Sequence, residues 1–165
     1  ERILMSAIEH PSVSEAAPEA ERIPVTVDGL VDEEAFAAML ADGPPPALVA
    51  VMLVNNETGV IQPVEKLARL AKKLAPSAFF FTDAVQAAGK FPIDFQAMQV
   101  DYMSLSAHKM GGPQGAGALI IAPGARPVKL LHGGGQEKRQ RAGTENVPAI
   151  AGFGLAASRR RVEGA

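Results

Sequence analysis

Cysteine is the most informative absence, since the 165-residue sequence contains none. Disulfide bonds, zinc sites with thiolate ligands and a cysteine nucleophile within this chain are therefore excluded. Neither sign of charge dominates, because 16 Lys and Arg residues against 18 Asp and Glu give a formal net charge of −2. This balance gives no reason to expect nucleic acid or an anionic membrane as the main partner. No apolar stretch is long enough to span a membrane, and no signal peptide opens the sequence, so we expect a cytoplasmic protein.

The two ends of the sequence favour a piece of a longer protein. The chain opens with ERILMS, the start of a strand with nothing before it, and it has no initiator methionine. The length fits one domain with a real core, and no linker or internal repeat divides it. We therefore expect residues 1–165 to be a fragment or an excised domain.

Short apolar runs alternate with helical patterns along the chain. Continuous or alternating apolar runs predict strands, and apolar residues three or four apart predict helices. The predicted strands cover 3–6, 23–27, 48–54, 78–81, 101–105 and 118–122, and the predicted helices cover 32–41, 63–74 and 147–161. This alternation predicts an α/β fold with a mostly parallel sheet.

Polar or ionisable residues follow four of the predicted strands. They are, in chain order, His10, Asn55, Asn56, Thr82, Asp83, Gln86, Ser106, His108 and Lys109. In open α/β sheets, ligands bind just beyond the carboxyl ends of the strands. The pattern therefore predicts a small-molecule site at that edge of the sheet.

The chemistry of these side chains fits pyridoxal 5′-phosphate (PLP). Lys109, beside a histidine and glycines after a buried strand, could form a Schiff base, because desolvation and nearby positive charge make a lysine amine nucleophilic. Asp83 could keep a ring nitrogen protonated, which makes the ring a better electron sink. Ser106 and His108 could hold a phosphate through hydrogen bonds, and Gln86 could donate to the phenolic oxygen. Together these are the parts that a PLP site requires.

Each of these residues also has an ordinary structural explanation. Taken alone, Lys109 is a surface lysine, Asp83 is a helix N-cap and His10 is a loop histidine. Asn56 could simply form a turn with Gly59. The coincidence of all of them at strand ends favours the site, but the residues by themselves leave the choice open.

Five segments resemble signature segments of the cysteine desulfurases. They are 54–59 (VNNETG), 83–90 (DAVQAAGK), 106–109 (SAHK), 132–137 (HGGGQE) and 141–146 (RAGTEN). Their order and spacing agree with the family, and the resemblance covers essentially the whole chain. The last two segments point to the NifS/IscS-like branch rather than to the wider class V aminotransferases.

The resemblance implies a role for each residue around the cofactor ring. Lys109 would hold PLP covalently, and His10 would stack on the ring and help to move protons. Asp83 would be the partner of the ring nitrogen. Gln86 would be the partner of the phenolic oxygen.

The same resemblance implies further contacts to the phosphate and the substrate. Asn56 would lie near the phenolic oxygen and the substrate carboxylate, while Ser106 and His108 would bind the phosphate. Thr144 would reach the phosphate of the cofactor in a neighbouring subunit. That last role implies a homodimer with shared active sites.

The activity implied by the resemblance is removal of sulfur from L-cysteine, which leaves L-alanine. An enzyme cysteine takes the sulfur as a persulfide and passes it to iron–sulfur cluster assembly or to another sulfur acceptor or scaffold protein. Because this chain has no cysteine, that thiol would lie outside it, as would the arginine that pairs with the substrate carboxylate. We expect residues 1–165 to be a PLP-binding large domain without its upstream segment and small domain, part of a three-layer PLP-dependent transferase fold, and unable to turn over cysteine alone.

Two other classes of function remain open, and a third is disfavoured. Another PLP enzyme of this fold, such as a class V aminotransferase, a selenocysteine lyase or a kynureninase-like hydrolase, would share Asp83 and Lys109. A non-catalytic domain that dimerises or binds partners is the second possibility. A metal enzyme is disfavoured, because His10, His108 and His132 show no metal-ligand spacing.

Overall fold

A single six-stranded sheet organises the protein, whose computed structural model describes residues 1–163. The strand order is 2-1-3-4-5-6; the first five strands run parallel, and the sixth is antiparallel to the fifth. The strands are β1 (Ile3–Ser6), β2 (Glu21–Ile23), β3 (Leu48–Ala50), β4 (Phe79–Asp83), β5 (Tyr102–Ser106) and β6 (Gly117–Ile121). The predicted α/β class with a mostly parallel sheet is confirmed.

Helices occupy the connections between the parallel strands, because such strands need a crossover to run in the same direction. The helices are α1 (Pro11–Ser14), α2 (Glu33–Ala41), α3 (Val64–Leu74), α4 (Phe95–Met98) and α5 (Val147–Glu163). Two 3₁₀ turns lie at Ala107–Met110 and Glu137–Arg139. The short helices α1 and α4 were not predicted, since four residues are too few for a helical period to show.

The main core lies between one face of the sheet and the helices α2, α3 and α4. Phe36 of α2, Leu67 of α3 and Phe80 of β4 are all fully buried there. Burying one such side chain contributes roughly 1.5–3 kcal/mol. On the other face, Phe79 and Leu119 are 42% and 46% exposed. The helices α2, α3 and α4 therefore form a layer on one face of the sheet, while Ala156 of α5 packs in a second, smaller cluster with Ala88 and Met110.

The second strand lies earlier than the predicted range of 23–27. It ends at Ile23 because the next residue, Pro24, has no N–H to donate to a ladder. Val25 leaves the sheet and forms an isolated antiparallel bridge with Val31. The alternation seen in the sequence thus covers a strand end and a separate small hairpin.

The third strand is shorter than the predicted range of 48–54. The residues after β3 keep their bonds to β4, since Val51 and Leu53 donate their N–H groups to it, but β1 on the other side has already ended. Val54 instead bridges to Ile61 across a turn. The apolar run is buried as predicted, yet its last residues have a strand partner on only one side.

The remaining predicted elements differ at their ends by up to two residues. β4 continues past the predicted range of 78–81 to Asp83. The helix predicted at 63–74 is α3, with Pro63 as its N-cap residue. The closing helix, predicted at 147–161, is α5.

Candidate functional site

The predicted site residues lie at one edge of the sheet. The strands β1, β3, β4 and β5 are parallel neighbours, so their carboxyl ends meet at the same edge, where open α/β sheets bind ligands. In order along the chain, the predicted residues that follow or end these strands are His10, Asn56, Asp83, Gln86, Ser106, His108 and Lys109. The fold therefore brings together segments that are far apart in sequence.

Asp83 is the last residue of β4 and is only 8% exposed. Its Oδ1 accepts hydrogen bonds from the Val85 N–H (2.9 Å) and from Ser104 Oγ on β5 (3.1 Å). Among residues 1–163 no hydrogen bond reaches its Oδ2. Asp83 thus forms a strand end and a tight turn rather than a helix cap, and one carboxylate oxygen remains for a further partner.

The segment that carries Lys109 is a 3₁₀ turn directly after β5. Ser106 Oγ and His108 Nδ1 lie 2.8 Å apart, so a hydroxyl and an imidazole already form one polar group. Lys109 is exposed. Gly112 closes the turn with a bond to Ala107 O, and a Cβ at this glycine would lie 3.0 Å from that oxygen. The close approach fixes the backbone that presents Lys109.

His10 is the N-cap residue of α1 and is exposed at the strand-end edge. Its Nδ1 accepts the Ser12 N–H (3.2 Å) and lies 2.8 Å from Ser12 Oγ. These contacts orient the ring through one nitrogen. Within residues 1–163, no hydrogen bond involves the other ring nitrogen.

Asn56 sits in a turn that its neighbour Asn55 holds together. Asn55 Oδ1 accepts bonds from the Glu57 and Thr58 main chain and from Thr58 Oγ1, at 2.9–3.0 Å. Its Nδ2 donates to Ile8 O in the turn before His10 (3.1 Å). Asn55 therefore joins two of the site-bearing turns, and Asn56 is left exposed.

Gln86 and Thr144 are less closely tied to the other predicted residues. Gln86 is half-buried, and its Oε1 accepts a bond from Lys90 Nζ (2.8 Å). Thr144 is exposed in the segment before α5. No hydrogen bond or salt bridge within residues 1–163 joins Thr144 to the other predicted positions, so its role toward a second subunit stays a prediction.

Sequence reasoning assigned no role to Glu9, which the structure buries beside the site. Its carboxyl bridges Ser6 and the Met52 main chain, and it is 9% exposed. The pKa of Glu9 is raised to about 7, chiefly by burial and to a smaller extent by the nearby Asp83 charge, against the bonds from Ser6 and Met52, which lower it. The only sequence signal was an acidic residue directly before His10 in a turn that follows a buried strand.

A comparison with protein-family models identifies the family of the chain. The model described as "Aminotransferase class-V" matches residues 1–159. The chain belongs to the class V aminotransferase family. Within residues 1–163, no helix of this family member is long and apolar enough to cross a membrane, and no group of three potential metal ligands is present.

Curated relatives of this class V chain carry desulfurase names. It is 47% identical over 163 residues to "Cysteine desulfurase" of Sinorhizobium fredii, covering 94% of this chain and 41% of the relative. It is 41% identical over 164 residues to "Cysteine desulfurase NifS" of Azotobacter vinelandii, covering 95% and 40%. The chain therefore resembles NifS-like desulfurases, as predicted, and spans less than half the length of these relatives.

Solved structures agree with the fold of this class V chain. A NifS-like protein from Rickettsia africae matches with a TM-score of 0.91 at 41% identity, over 98% of this chain and 46% of that one. A structure described as "SspA in complex with cysteine" matches with a TM-score of 0.84 at 35% identity, over 95% and 47%. The predicted resemblance to the NifS-like branch is confirmed in both sequence and fold.

Proposed function

We propose that the chain is the cofactor-binding part of a PLP-dependent cysteine desulfurase. The observation that carries the proposal is the cluster of Asp83, the Ser106–His108 pair and Lys109 at the ends of two adjacent strands. The names of the relatives and the resemblance to a protein solved with cysteine support the same substrate. The activity, the substrate and the partners of the whole protein are part of this proposal.

The donor set fits PLP group by group. Asp83, a largely buried residue, offers its free carboxylate oxygen to a protonated ring nitrogen, which a carboxylate favours by its charge. The bonded pair of the Ser106 hydroxyl and the neutral His108 imidazole keeps one donor free for a phosphate in either tautomer. Lys109 offers the amine for covalent attachment. When bound, PLP would supply an electron sink for the bonds around the substrate α-carbon.

The protein would position these groups and carry protons between them. His10 would cover one face of the PLP ring. It would move a proton through Nε2, the imidazole nitrogen that does not contact Ser12. The free amine of Lys109 would act as a base beside the substrate α-carbon. Gln86 would face the phenolic oxygen, and Asn56 would lie between that oxygen and the substrate carboxylate.

The sulfur-accepting thiol is not in this chain, which has no cysteine. In the proposed activity it would belong to a cysteine elsewhere in the protein and would pass the sulfur to an acceptor or scaffold protein, as in iron–sulfur cluster assembly. We further propose a cytoplasmic homodimer in which Thr144 reaches the phosphate of the partner's cofactor.

The test of the cofactor site is a visible absorption spectrum of the chain with added PLP. We expect an absorption band from the covalent linkage that disappears in Lys109→Ala and persists in Lys73→Ala. Lys73 is an exposed lysine in the last turn of α3, at the opposite edge of the sheet. Borohydride reduction and peptide mapping should then place the label on Lys109. No band, or a label on another lysine, would refute the site.

The reaction class is tested on the full-length parent protein. Release of sulfide and alanine from cysteine supports a desulfurase. Transfer of the amino group to a keto acid would instead identify an aminotransferase of the same family. Isolated residues 1–165 should bind PLP but should not produce alanine continuously.

A further inference from the structure

Glu9 is a buried carboxyl group for which the proposed function has no use so far. Its Oε1 accepts two hydrogen bonds, from Ser6 Oγ (2.5 Å) and from the Met52 N–H (2.6 Å). Its Oε2 is buried and has no hydrogen-bond partner among the described residues. Buried polar atoms are nearly always paired, so an unpaired one in a native fold indicates a function or a strained arrangement.

The Met52 N–H needs this carboxyl because the neighbouring strand has ended. Val51 and Leu53 on either side donate their N–H groups to β4, so the Met52 N–H points the other way, toward β1. β1 stops at Ser6, whose carbonyl oxygen accepts the Glu9 N–H (3.4 Å), and within residues 1–163 the Met52 N–H has no backbone acceptor. The Glu9 carboxyl accepts this hydrogen bond at the position where a further carbonyl of β1 would accept it in a longer strand.

This bond joins two turns that carry candidate site residues. Glu9 directly precedes His10, and a second bond, from Asn55 Nδ2 to Ile8 O, ties the same turn to the same neighbour. The segment after β3 is in turn hydrogen-bonded to β4 as far as Asp83. A change at Glu9 would therefore loosen the turn of His10 relative to Asp83.

The surroundings favour the uncharged form of this carboxyl. Burial is the largest influence and raises the pKa of Glu9 to about 7, while the bonds from Ser6 and Met52 lower it. The Asp83 charge raises the pKa, and the Arg22 charge lowers it. Since Oε1 already accepts two bonds, the proton of the neutral form belongs on Oε2. A neutral carboxyl can hold the turn without placing a second negative charge beside Asp83.

We propose that Glu9 is a positioning residue whose carboxyl group fixes the His10 turn against the segment after β3. The proposal rests on the proposed function, because His10 has a ring to face only if PLP binds. Glu9 itself does not touch the reacting atoms. It sets where the His10 imidazole stands relative to the Asp83 carboxylate.

The test compares two substitutions of the same residue. Glu9→Gln keeps an oxygen acceptor for both bonds and has no charge, whereas Glu9→Ala removes the acceptor. We expect Glu9→Gln to keep the NMR shifts of the His10 ring in the cofactor-free protein. Glu9→Ala should move them and should weaken PLP binding by at least about tenfold, because small misplacements of site groups have large effects.

The matched control is Gln62→Ala. Gln62 is also buried, and its side chain also bonds main-chain groups, those of Val31 (2.8 Å) and Gly29 (2.7 Å), but away from the His10 turn. It should lose thermal stability as Glu9→Ala does while leaving the His10 shifts and the PLP affinity unchanged. Should Glu9→Ala fail to fold, Ser6→Ala, which removes one of the two bonds, takes its place.

Each outcome decides the proposal. Glu9→Ala or Ser6→Ala with unchanged His10 shifts would show a merely structural carboxyl and overturn it. Glu9→Gln behaving like Glu9→Ala would show that an oxygen acceptor for the two bonds is not enough to fix the turn, and would overturn it too. If the unaltered chain does not bind PLP, the proposed function fails separately, and the His10 shifts of the cofactor-free protein still test the positioning by Glu9.

Discussion

Glu9 should make the stability of the folded chain depend on pH in an unusual direction. The pKa of its carboxyl rises from 4.5 to about 7 on folding, chiefly because the group is buried. The folded protein therefore binds more protons than the unfolded chain between these two values. The free energy of unfolding must then fall as the pH rises through this window, whereas most carboxyl groups that gain a partner on folding have the opposite effect.

The size of the effect follows from the same two pKa values. A pKa that rises from 4.5 to about 7 corresponds to roughly 3 kcal/mol of unfolding free energy. This stabilisation is fully present below pH 4.5 and is lost once the pH has risen through the folded value. Small domains have only about 5–15 kcal/mol in all, so the loss is large enough to measure.

The assay is urea unfolding of the wild-type chain and of Glu9→Gln, followed by far-UV circular dichroism because the chain has no tryptophan. We compare the two proteins from about pH 5 to about pH 8, where the stability of Glu9→Gln relative to wild type should rise until the pH passes the folded pKa of about 7 and then level off. All other titrating groups are common to both proteins and cancel in the difference. A difference that stays constant over this range would refute the reasoning, since it would mean that Glu9 titrates alike in both states.

Three further changes test the core, the cofactor edge and the Lys109 turn. Phe80→Ala should lower the unfolding free energy by about 3–5 kcal/mol in urea, because the ring is fully buried; a loss below about 1 kcal/mol would contradict this packing. Asp83→Asn should weaken PLP binding in a spectroscopic titration, since the amide cannot compensate a ring cation, and unchanged affinity would contradict that role. Gly112→Ala should lower the melting temperature because its Cβ would meet Ala107 O. Gly154→Ala, in the open on α5, should instead stabilise by about 1 kcal/mol, and equal effects of the two substitutions would contradict the crowding at Gly112.

The sequence was sufficient for the order of strands and helices because that order depends on local patterns. The buried run around Val49 and the apolar face of α3 show in the sequence as a continuous stretch and a helical period. Strand ends depend instead on neighbours distant in sequence. β3 stops where β1 stops, and nothing within the apolar run at 48–54 indicates that point.

The position of the site was predictable for the same reason, whereas its internal contacts were not. Polar residues after parallel strands meet at one edge whatever the details, so Asp83 and Lys109 could be placed together. The bond from Ser104 to Asp83 depends on the register of β4 and β5. The burial of Glu9 depends on an unpaired N–H that only the assembled sheet creates at Met52.

The strand order has a consequence for how the chain folds. His10 follows the first strand and Lys109 the fifth, and each parallel pairing between them requires a crossover to close first. Contacts between segments so distant in sequence form late and slowly, because the entropy of the intervening loops must be lost beforehand. A partly folded chain could hold each turn in its local shape without bringing the turns together. We therefore expect a ligand of this edge to recognise only chains that have completed the sheet, so that its binding during refolding marks the last step rather than guiding the first.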